Sequence, residues 1–445
     1  MKMTLLVMLA ATSTSLLANQ TYREVQKSGC RRGIMDYAKS RLIHKSVILE
    51  QDRAEDLVDN PRNMVKNIEM MAKMKLTSGK SDIVPWSDSY WPLYKGGLGQ
   101  RYNDSKFAAL GWKESKEYVS LNTVEALVAN GRTLELSPSE KYDVLLGLNQ
   151  LPLTESNWSA GKEYFDEFGQ VEAWMGLCHG WAAASMMMPE PKKKVDIETE
   201  SGKMTFFPSD IKGLVTLLWA KGSFDAKYIG GRCNSRNPRE DESGRTAETD
   251  CLDNNPGTWH LTVVNQLGVS KRPFIMDSSS SYEVWNQPVF SYEYTYVNPR
   301  TKKKVKNLKG ALVRSGEWDD SKSKFRSKDT EYVVGIIMNV TYAVENEPSI
   351  KEDQEARSLQ IEYEYDLELN QDHEIIGGEW DSSRHPDFLW VPTKKSFPQT
   401  YQDNGNQNFD FLSLSLEAKK VASINASYGL PWGPIIRDLV NRSSP

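Results

Sequence analysis

The chain is poor in the residues that bind metals and nucleotides. Its 445 residues include four cysteines and five histidines, and none of these forms a cluster with the spacing of a zinc site. No glycine-rich phosphate loop follows a predicted strand. Catalysis that depends on zinc or on a nucleotide is therefore poorly supported.

A strong charge of one sign and a long apolar segment are also missing. The 55 basic and 60 acidic side chains give a formal net charge of -5, which creates no field for nucleic acid or anionic lipid. No stretch approaches the roughly 18 apolar residues of a membrane span. Residues 1–18 combine a charged start, a short apolar core and small residues, which predicts a secretory signal peptide. We expect a secreted, periplasmic or cell-surface protein.

Apolar and aromatic side chains are plentiful, with 13 Trp, 19 Tyr and 13 Phe available for a large core. The apolar spacing of residues 19–155 predicts a mainly helical N-terminal region. From residue 156 to residue 396 the pattern changes, and this part is the predicted catalytic core. Residues 397–445 are uneven in composition and are interpreted as a cap or tail.

The predicted core begins with helices and continues with strands. Helices are expected at 176–185 and at 208–219, where Ser209 is the candidate N-cap. Strands are expected at 259–267, 273–277, 332–342 and 361–369, with 373–380 as the return arm of a hairpin. Acidic and apolar residues alternate in 361–369, so one face should be buried and the other solvated. Helices packed on a later antiparallel sheet make an α+β fold.

Cys178, at the start of the first of these helices, is the most specific chemical signal. A thiolate is the reactive nucleophile, and its pKa falls at a helix N-terminus beside a protonated imidazole. His260 follows at a predicted strand start, where a sheet could hold its ring against the thiol. Asp277 ends the next strand, where a carboxylate could accept a hydrogen bond from the imidazole. The alternative for His260 is a buried, hydrogen-bonded core histidine.

The four cysteines of an exported chain can form disulfides, because the compartments outside the cytosol are oxidising. Cys233 and Cys251 bracket a polar, turn-rich segment, and a disulfide of that span would stabilise the fold by about 3 kcal/mol. Cys178 is then free to act, and Cys30 is an unpaired thiol or a latency partner for Cys178. Two structural disulfides without any enzymatic activity are the alternative.

Three segments resemble the transglutaminase elicitor family of the papain-like transglutaminase superfamily. They are Gly176–Trp181, the hexapeptide Val284–Val289 (VWNQPV), and Gly377–Trp390. The hexapeptide looks like the core of that family's surface peptide, although the residues after Val289 depart from it. The resemblance implies a papain-like core with Cys178 as nucleophile, His260 as general base and acid, and Asp277 as its orienting residue. It also implies calcium as a possible cofactor, but the chain has no EF-hand loop to which calcium could be assigned.

These roles predict an acyltransferase that cross-links proteins. Cys178 would attack a glutamine carboxamide, and a lysine or another primary amine would then attack the thioester. The backbone N–H of Cys178 would stabilise the oxyanion, with Trp174 or Gln170 as the second donor. A papain-like peptidase could use the same triad, and a catalytically silent binding protein could keep the scaffold.

Overall fold

The structure is a computed structural model that describes residues 52–199, 202–236, 238–239, 254–279, 282–382, 385–403, 405 and 407–444. The predicted signal peptide, Cys30 and Cys251 lie outside these residues. Within the described ranges, no helix is long and apolar enough to cross a membrane.

Helices dominate the two ends of the described chain and the stretch that leads into the sheet. In chain order they are α1 (Ala54–Leu57), α2 (Ile68–Lys73), α3 (Trp112–Leu121), α4 (Val124–Ala129), α5 (Pro138–Leu145), α6 (Pro152–Phe168), α7 (Cys178–Met187), α8 (Pro208–Lys221), α9 (Pro256–Val263), α10 (Leu308–Ala311), α11 (Leu416–Ser427) and α12 (Gly433–Ser443). A π-helical segment, Val264–Val269, continues directly from α9.

Antiparallel pairing organises the strands. They are β1 (Ser78–Lys80), β2 (Val195–Thr199), β3 (Gly202–Phe206), β4 (Ala226–Gly230), β5 (Phe274–Asp277), β6 (Asn286–Asn298), β7 (Lys303–Val305), β8 (Val313–Arg314), β9 (Tyr332–Val344), β10 (Arg357–Leu369), β11 (Ile375–Trp380) and β12 (Phe388–Pro392). The main sheet has the order β11-β10-β9-β6-β5-β12-β4, with β1 and β7 on β6 and β8 on β9, while β2 and β3 form a separate ribbon. Mixed helices and an antiparallel sheet agree with the predicted α+β class.

Helices lie on both faces of the main sheet. Helix α7 packs against α8 and against β6 and β12, whereas α9 packs against β10 and β11. The helices and strands share one continuous core that includes Leu153, Trp181, Ile275 and Ile436. Helix α6 spans the predicted boundary between residues 155 and 156, and α12 at the C-terminal end packs on α8.

The predicted strand at residues 259–267 is wrong, because this segment is α9 and its π-helical extension. The sequence Asn-Pro-Gly before it starts a helix instead of making a turn. Asn255 is the N-cap and its side chain accepts a hydrogen bond from Gly257 N at 2.8 Å, and Pro256 occupies the first helical position, where its missing N–H costs nothing. Ser209 is likewise not an N-cap, since the helix starts after Phe207, whose N–H donates to Asp210.

The acidic face of β10 is buried in its second half, which differs from the predicted solvated face. Asp366 and Glu368 are 2% and 0% exposed. Arg326 Nη1 donates to Asp366 at 2.7 Å, and Thr330 and the Ser327 N–H donate to Glu368. Paired and hydrogen-bonded carboxylates can be buried, so the alternation of this strand predicted its conformation but not its exposure.

Gly180 allows α7 to lie directly on α8. A Cβ at this position would lie 2.6 Å from the Ala220 Cβ and 2.8 Å from the Ala220 backbone nitrogen, and it would also meet the Thr216 carbonyl oxygen. Because the obstacles are mostly backbone atoms of a packed helix, the helices would have to separate.

We expect Gly180→Ala to lower the free energy of unfolding by about 3 kcal/mol, since overpacked cores typically lose 1–3 kcal/mol or more. Urea unfolding followed by circular dichroism would measure the change. Gly231→Ala is the matched control, because no atom lies within 4 Å of a Cβ at that position. Equal stability of the two variants would contradict the close packing of α7 on α8.

Candidate active site

Backbone contacts hold Cys178 at the first position of α7. The Leu177 N–H donates to the Tyr90 carbonyl oxygen at 2.6 Å, which anchors the residue before the helix. Gly176 permits this approach, since a Cβ there would lie 2.5 Å from the same oxygen. The N-cap Leu177 provides no side-chain cap, so the thiol stands at an uncapped helix N-terminus.

Two groups contact the sulfur of Cys178, which is a free thiol and 5% exposed. The Asn286 Nδ2 donates to Sγ at 3.5 Å, and Sγ donates to the Val284 carbonyl oxygen at 3.7 Å. The Asn286 Oδ1 in turn accepts from Trp390 Nε1 at 2.8 Å. The backbone N–H of Asn286 acts on the sulfur in the same sense as its side chain, so the thiol is held between donors of Asn286 and one acceptor.

Asp277 lies next to this group because of strand register. It is the Cα partner of Asn286 in the β5–β6 pair, and cross-strand partners point to the same face. Its Oδ1 accepts from the Trp285 N–H at 2.9 Å and the Ser279 N–H at 3.3 Å. Its Oδ2 is buried and accepts no hydrogen bond from the described residues, so one carboxylate oxygen is left for other chemistry.

The electrostatics of the site favour the neutral thiol. Burial raises the pKa of Cys178 to about 11, and the negative charges of Glu345 and Asp277 act in the same direction against the hydrogen bond from Asn286. Burial also raises the pKa of Asp277 to about 7, although hydrogen bonds from Trp285 and Ser279 oppose the shift. Asp277 therefore changes its charge near neutral pH, whereas the thiol keeps its proton there.

His260 lies elsewhere, in α9. Its Nδ1 shares a hydrogen bond with the Tyr365 hydroxyl at 2.9 Å, and its ring centroid lies 4.8 Å from that of Tyr294. It is fully buried, and its Nε2 has no hydrogen-bond partner among the described residues. Burial lowers the pKa of His260 to about 3, so the imidazole is neutral near pH 7.

Strand alternation places His260 and Cys178 on opposite faces of the sheet. Met276 accepts a hydrogen bond from the Tyr363 hydroxyl at 3.7 Å, and Tyr363 shares its face of β10 with Tyr365, the partner of His260. Asp277 follows Met276 directly and so points to the other face. The structure thus brings Cys178 and Asp277 together and does not bring His260 to them; His260 has the contacts of a core histidine.

The two candidate oxyanion donors are not arranged alike. Trp174 Nε1 donates to Glu172 Oε2 at 2.9 Å, and its ring meets the edge of Tyr282 with centroids 5.5 Å apart. Gln170 is exposed in the bend after α6. No contact of either residue with Cys178 is found in the described part of the chain.

Asn286 was missed as a site residue, although it lies within the hexapeptide that carries the resemblance. Residues 286–289 are buried at the start of β6, and only Val284 and Trp285 are partly exposed. Trp285 packs edge-on against Tyr90 with centroids 5.5 Å apart. The segment expected to resemble a surface peptide therefore forms part of the thiol site.

Cys233 is buried. Its predicted partner Cys251 lies outside the described residues, so that pairing stays a prediction. In the described ranges, no three or more His, Cys, Asp or Glu side chains are grouped so that they could hold a metal ion. The described residues therefore present no carboxylate cluster for the calcium that the resemblance implies.

The family model of the transglutaminase elicitors matches residues 56–419. This chain belongs to the transglutaminase elicitor family. Its fold is similar to the crystal structure of the GP42 transglutaminase from Phytophthora sojae, with a TM-score of 0.55 and 18% sequence identity over 85% of this chain and 94% of that chain. No curated protein matches the sequence.

Asp277→Asn should stabilise this member of the family above neutral pH. The raised pKa means that the folded state keeps the proton from pH 3.8 to about 7 while the unfolded state loses it, so stability falls over that window. Three pKa units correspond to about 4 kcal/mol. Urea unfolding at pH 8 should show a gain of up to about that size, and at pH 4 little difference.

Asp366→Asn is the control of opposite sign. Burial opposes ionisation of Asp366, but hydrogen bonds from Arg326 lower its pKa, so removing the carboxylate should destabilise the protein at pH 8. A loss of stability in Asp277→Asn at pH 8 would show that the Asp277 carboxylate is not under electrostatic strain.

Proposed function

We propose that the chain is an exported transglutaminase with a papain-like core, which transfers the acyl group of glutamine side chains from Cys178 to primary amines. The observation that carries the proposal is the grouping of three side chains at one helix N-terminus. They are the free thiol of Cys178, the Asn286 amide that donates to it, and the buried Asp277 carboxylate with its raised pKa. Perturbed titratable groups that converge on a nucleophile are typical of catalytic sites. Membership of the transglutaminase elicitor family supports the same chemistry.

In the first step, the sulfur of Cys178 attacks the carbon of a glutamine carboxamide. The acyl group takes the place beside Sγ that the Val284 carbonyl oxygen occupies. The thiol proton passes to Asp277, and Asp277 then gives it to the leaving nitrogen, so that ammonia departs and a thioester forms. The backbone N–H of Cys178 at the uncapped start of α7 stabilises the oxyanion of the tetrahedral intermediate.

In the second step, a primary amine attacks the thioester carbon. The amine proton passes to Asp277 and from there to the departing sulfur, which restores the thiol and leaves an isopeptide bond. Water in place of the amine gives glutamate by deamidation. The substrates are therefore proteins with accessible glutamine and with lysine or other primary amines.

The free energy needed to move the thiol proton to Asp277 is well below a typical enzymatic activation barrier. The pKa values of about 11 and about 7 differ by about four units, which corresponds to about 5 kcal/mol. A turnover of about 10 per second corresponds to a barrier of about 16 kcal/mol. Asp277 can therefore serve as the base without an imidazole, provided that attack on the acyl carbon accompanies the transfer.

A papain-like peptidase and a silent binding protein are the competing functions. Both could use the same scaffold, and one assay separates all three. Wild-type protein is given a glutamine-bearing protein and a labelled primary amine: incorporation of the amine supports transfer, cleavage of the backbone supports a peptidase, and neither outcome supports a binding protein.

We expect Cys178→Ala to abolish amine incorporation, because it removes the proposed nucleophile, and Cys178→Ser to retain at most about a thousandth of it, since an alkoxide is far harder to form than a thiolate. Mass spectrometry of the labelled product measures the rate. Asn63→Asp, at an exposed position before α2, is the control for handling and folding. Incorporation by Cys178→Ala at the wild-type rate would remove the thiol from the mechanism.

His260→Gln tests which residue is the base. Because His260 contacts Tyr365 and Tyr294 on the other face of the sheet, we expect a loss of stability but retained turnover per folded molecule. Asp277→Asn should lower turnover by at least about a hundredfold, the usual scale for removing a general base. The opposite pattern, with full activity in Asp277→Asn and none in well-folded His260→Gln, would return the role of base to His260.

A further inference from the structure

We infer that Asn286, oriented by Trp390, is a catalytic residue that stabilises the ionised form of the Cys178 sulfur when that form arises during the reaction. The inference deepens the proposed function and rests on it for the reaction in which the sulfur takes part. It stands on the two hydrogen bonds that link Trp390, Asn286 and Cys178 in series.

The indole of Trp390 sets the orientation of the Asn286 amide. An indole N–H can only donate, so Trp390 Nε1 must meet the carbonyl oxygen of the Asn286 amide and not its NH2 group. The amide therefore has a single orientation, with Nδ2 directed to Sγ of Cys178. All three residues are at least 95% buried, so water does not compete for these groups.

Trp390 is itself fixed by packing. Its ring stacks on Tyr228 with centroids 5.4 Å apart and an interplanar angle of 11°, and it lies 6.5 Å from the ring of Phe224. It is paired with Ile275 across β5 and β12, two residues along β5 from Asp277, so it lies on the same face of the sheet as Asp277 and Asn286. The donor on the sulfur is therefore preorganised by the sheet and needs no rearrangement during the reaction.

The two contacts of the sulfur favour different protonation states. The Val284 carbonyl oxygen accepts the thiol proton and so stabilises the neutral form. The Asn286 Nδ2 group can only donate, and a hydrogen bond to an ionised acceptor is roughly twice as strong as one to a neutral acceptor. When substrate displaces the carbonyl, the contact that remains is the one that favours the thiolate, and such differential stabilisation accelerates the reaction.

The test is the pH dependence of Cys178 alkylation by iodoacetamide, measured on the intact protein by mass. Asn286→Asp keeps the shape and the acceptor for Trp390 but replaces the donor with a carboxylate. We expect its alkylation midpoint to rise by at least one pH unit and its rate at pH 8 to fall about tenfold or more, since one pKa unit is a tenfold change in thiolate.

Trp390→Phe keeps an aromatic ring and removes the indole N–H. We expect a smaller fall in rate, about threefold, because the amide can then turn its oxygen towards the sulfur. In an Asn286→Ala background the same change should have no further effect on the midpoint, which a purely structural role of Trp390 would not produce. Asn63→Asp, the same substitution at an exposed position, is the matched control and should alkylate as wild type does.

An unchanged midpoint in Asn286→Asp and in Trp390→Phe, with folding verified by circular dichroism, would overturn the inference; if Asn286→Asp does not fold, Trp390→Phe decides alone. Failure of the proposed function looks different: wild-type protein would not incorporate amine, while the alkylation midpoints could still shift. Shifted midpoints together with a matching fall in amine incorporation would support both.

Discussion

The pairing of β5 with β6 is the constraint on which the candidate site depends. It sets Asp277 opposite Asn286, and the same two strand ends face the start of α7. Side chains from two strands and a helix can then reach one sulfur without any long loop. A shift of β6 by one residue along β5 would turn Asn286 to the other face of the sheet, away from Asp277. The hydrogen bonds from the Trp285 and Ser279 N–H groups to Asp277 close the turn that holds the register.

The same alternation explains why His260 is separated from the thiol. Cys178, His260 and Asp277 follow one another in the expected order along the chain. That order does not determine on which face of the main sheet each side chain lies. Once residues 256–263 are helical, His260 packs on the side of the sheet that carries Tyr294 and Tyr365. An imidazole with a depressed pKa in an aromatic pocket is a poor proton acceptor, whereas Asp277 titrates near neutrality.

The parts of the structure that depend on local pattern were predictable. The alternating β10, the hairpin to β11 and the helix after Pro208 follow from periodicity and from a proline at the first helical turn. The strand predicted around His260 was wrong, since β-branched and apolar residues also suit a buried helix and Asn255-Pro256 caps one. Asn286 could not be identified, because only tertiary pairing reveals that its amide meets a thiol and an indole.

Most of the hexapeptide at residues 284–289 lies in the interior of the fold, which limits how a partner could contact it. Asn286 to Val289 form the buried start of β6, where β5 pairs with all four residues and β9 joins at Val289. A molecule that bound these four residues from outside would have to separate those strands and break the contact of Asn286 with Cys178. Val284 and Trp285 are the partly exposed members, and Val284 also accepts the hydrogen bond of the thiol. The surface of this segment that a partner could reach in the folded chain is therefore its first two residues, and the carbonyl of the first of them also contacts the Cys178 thiol.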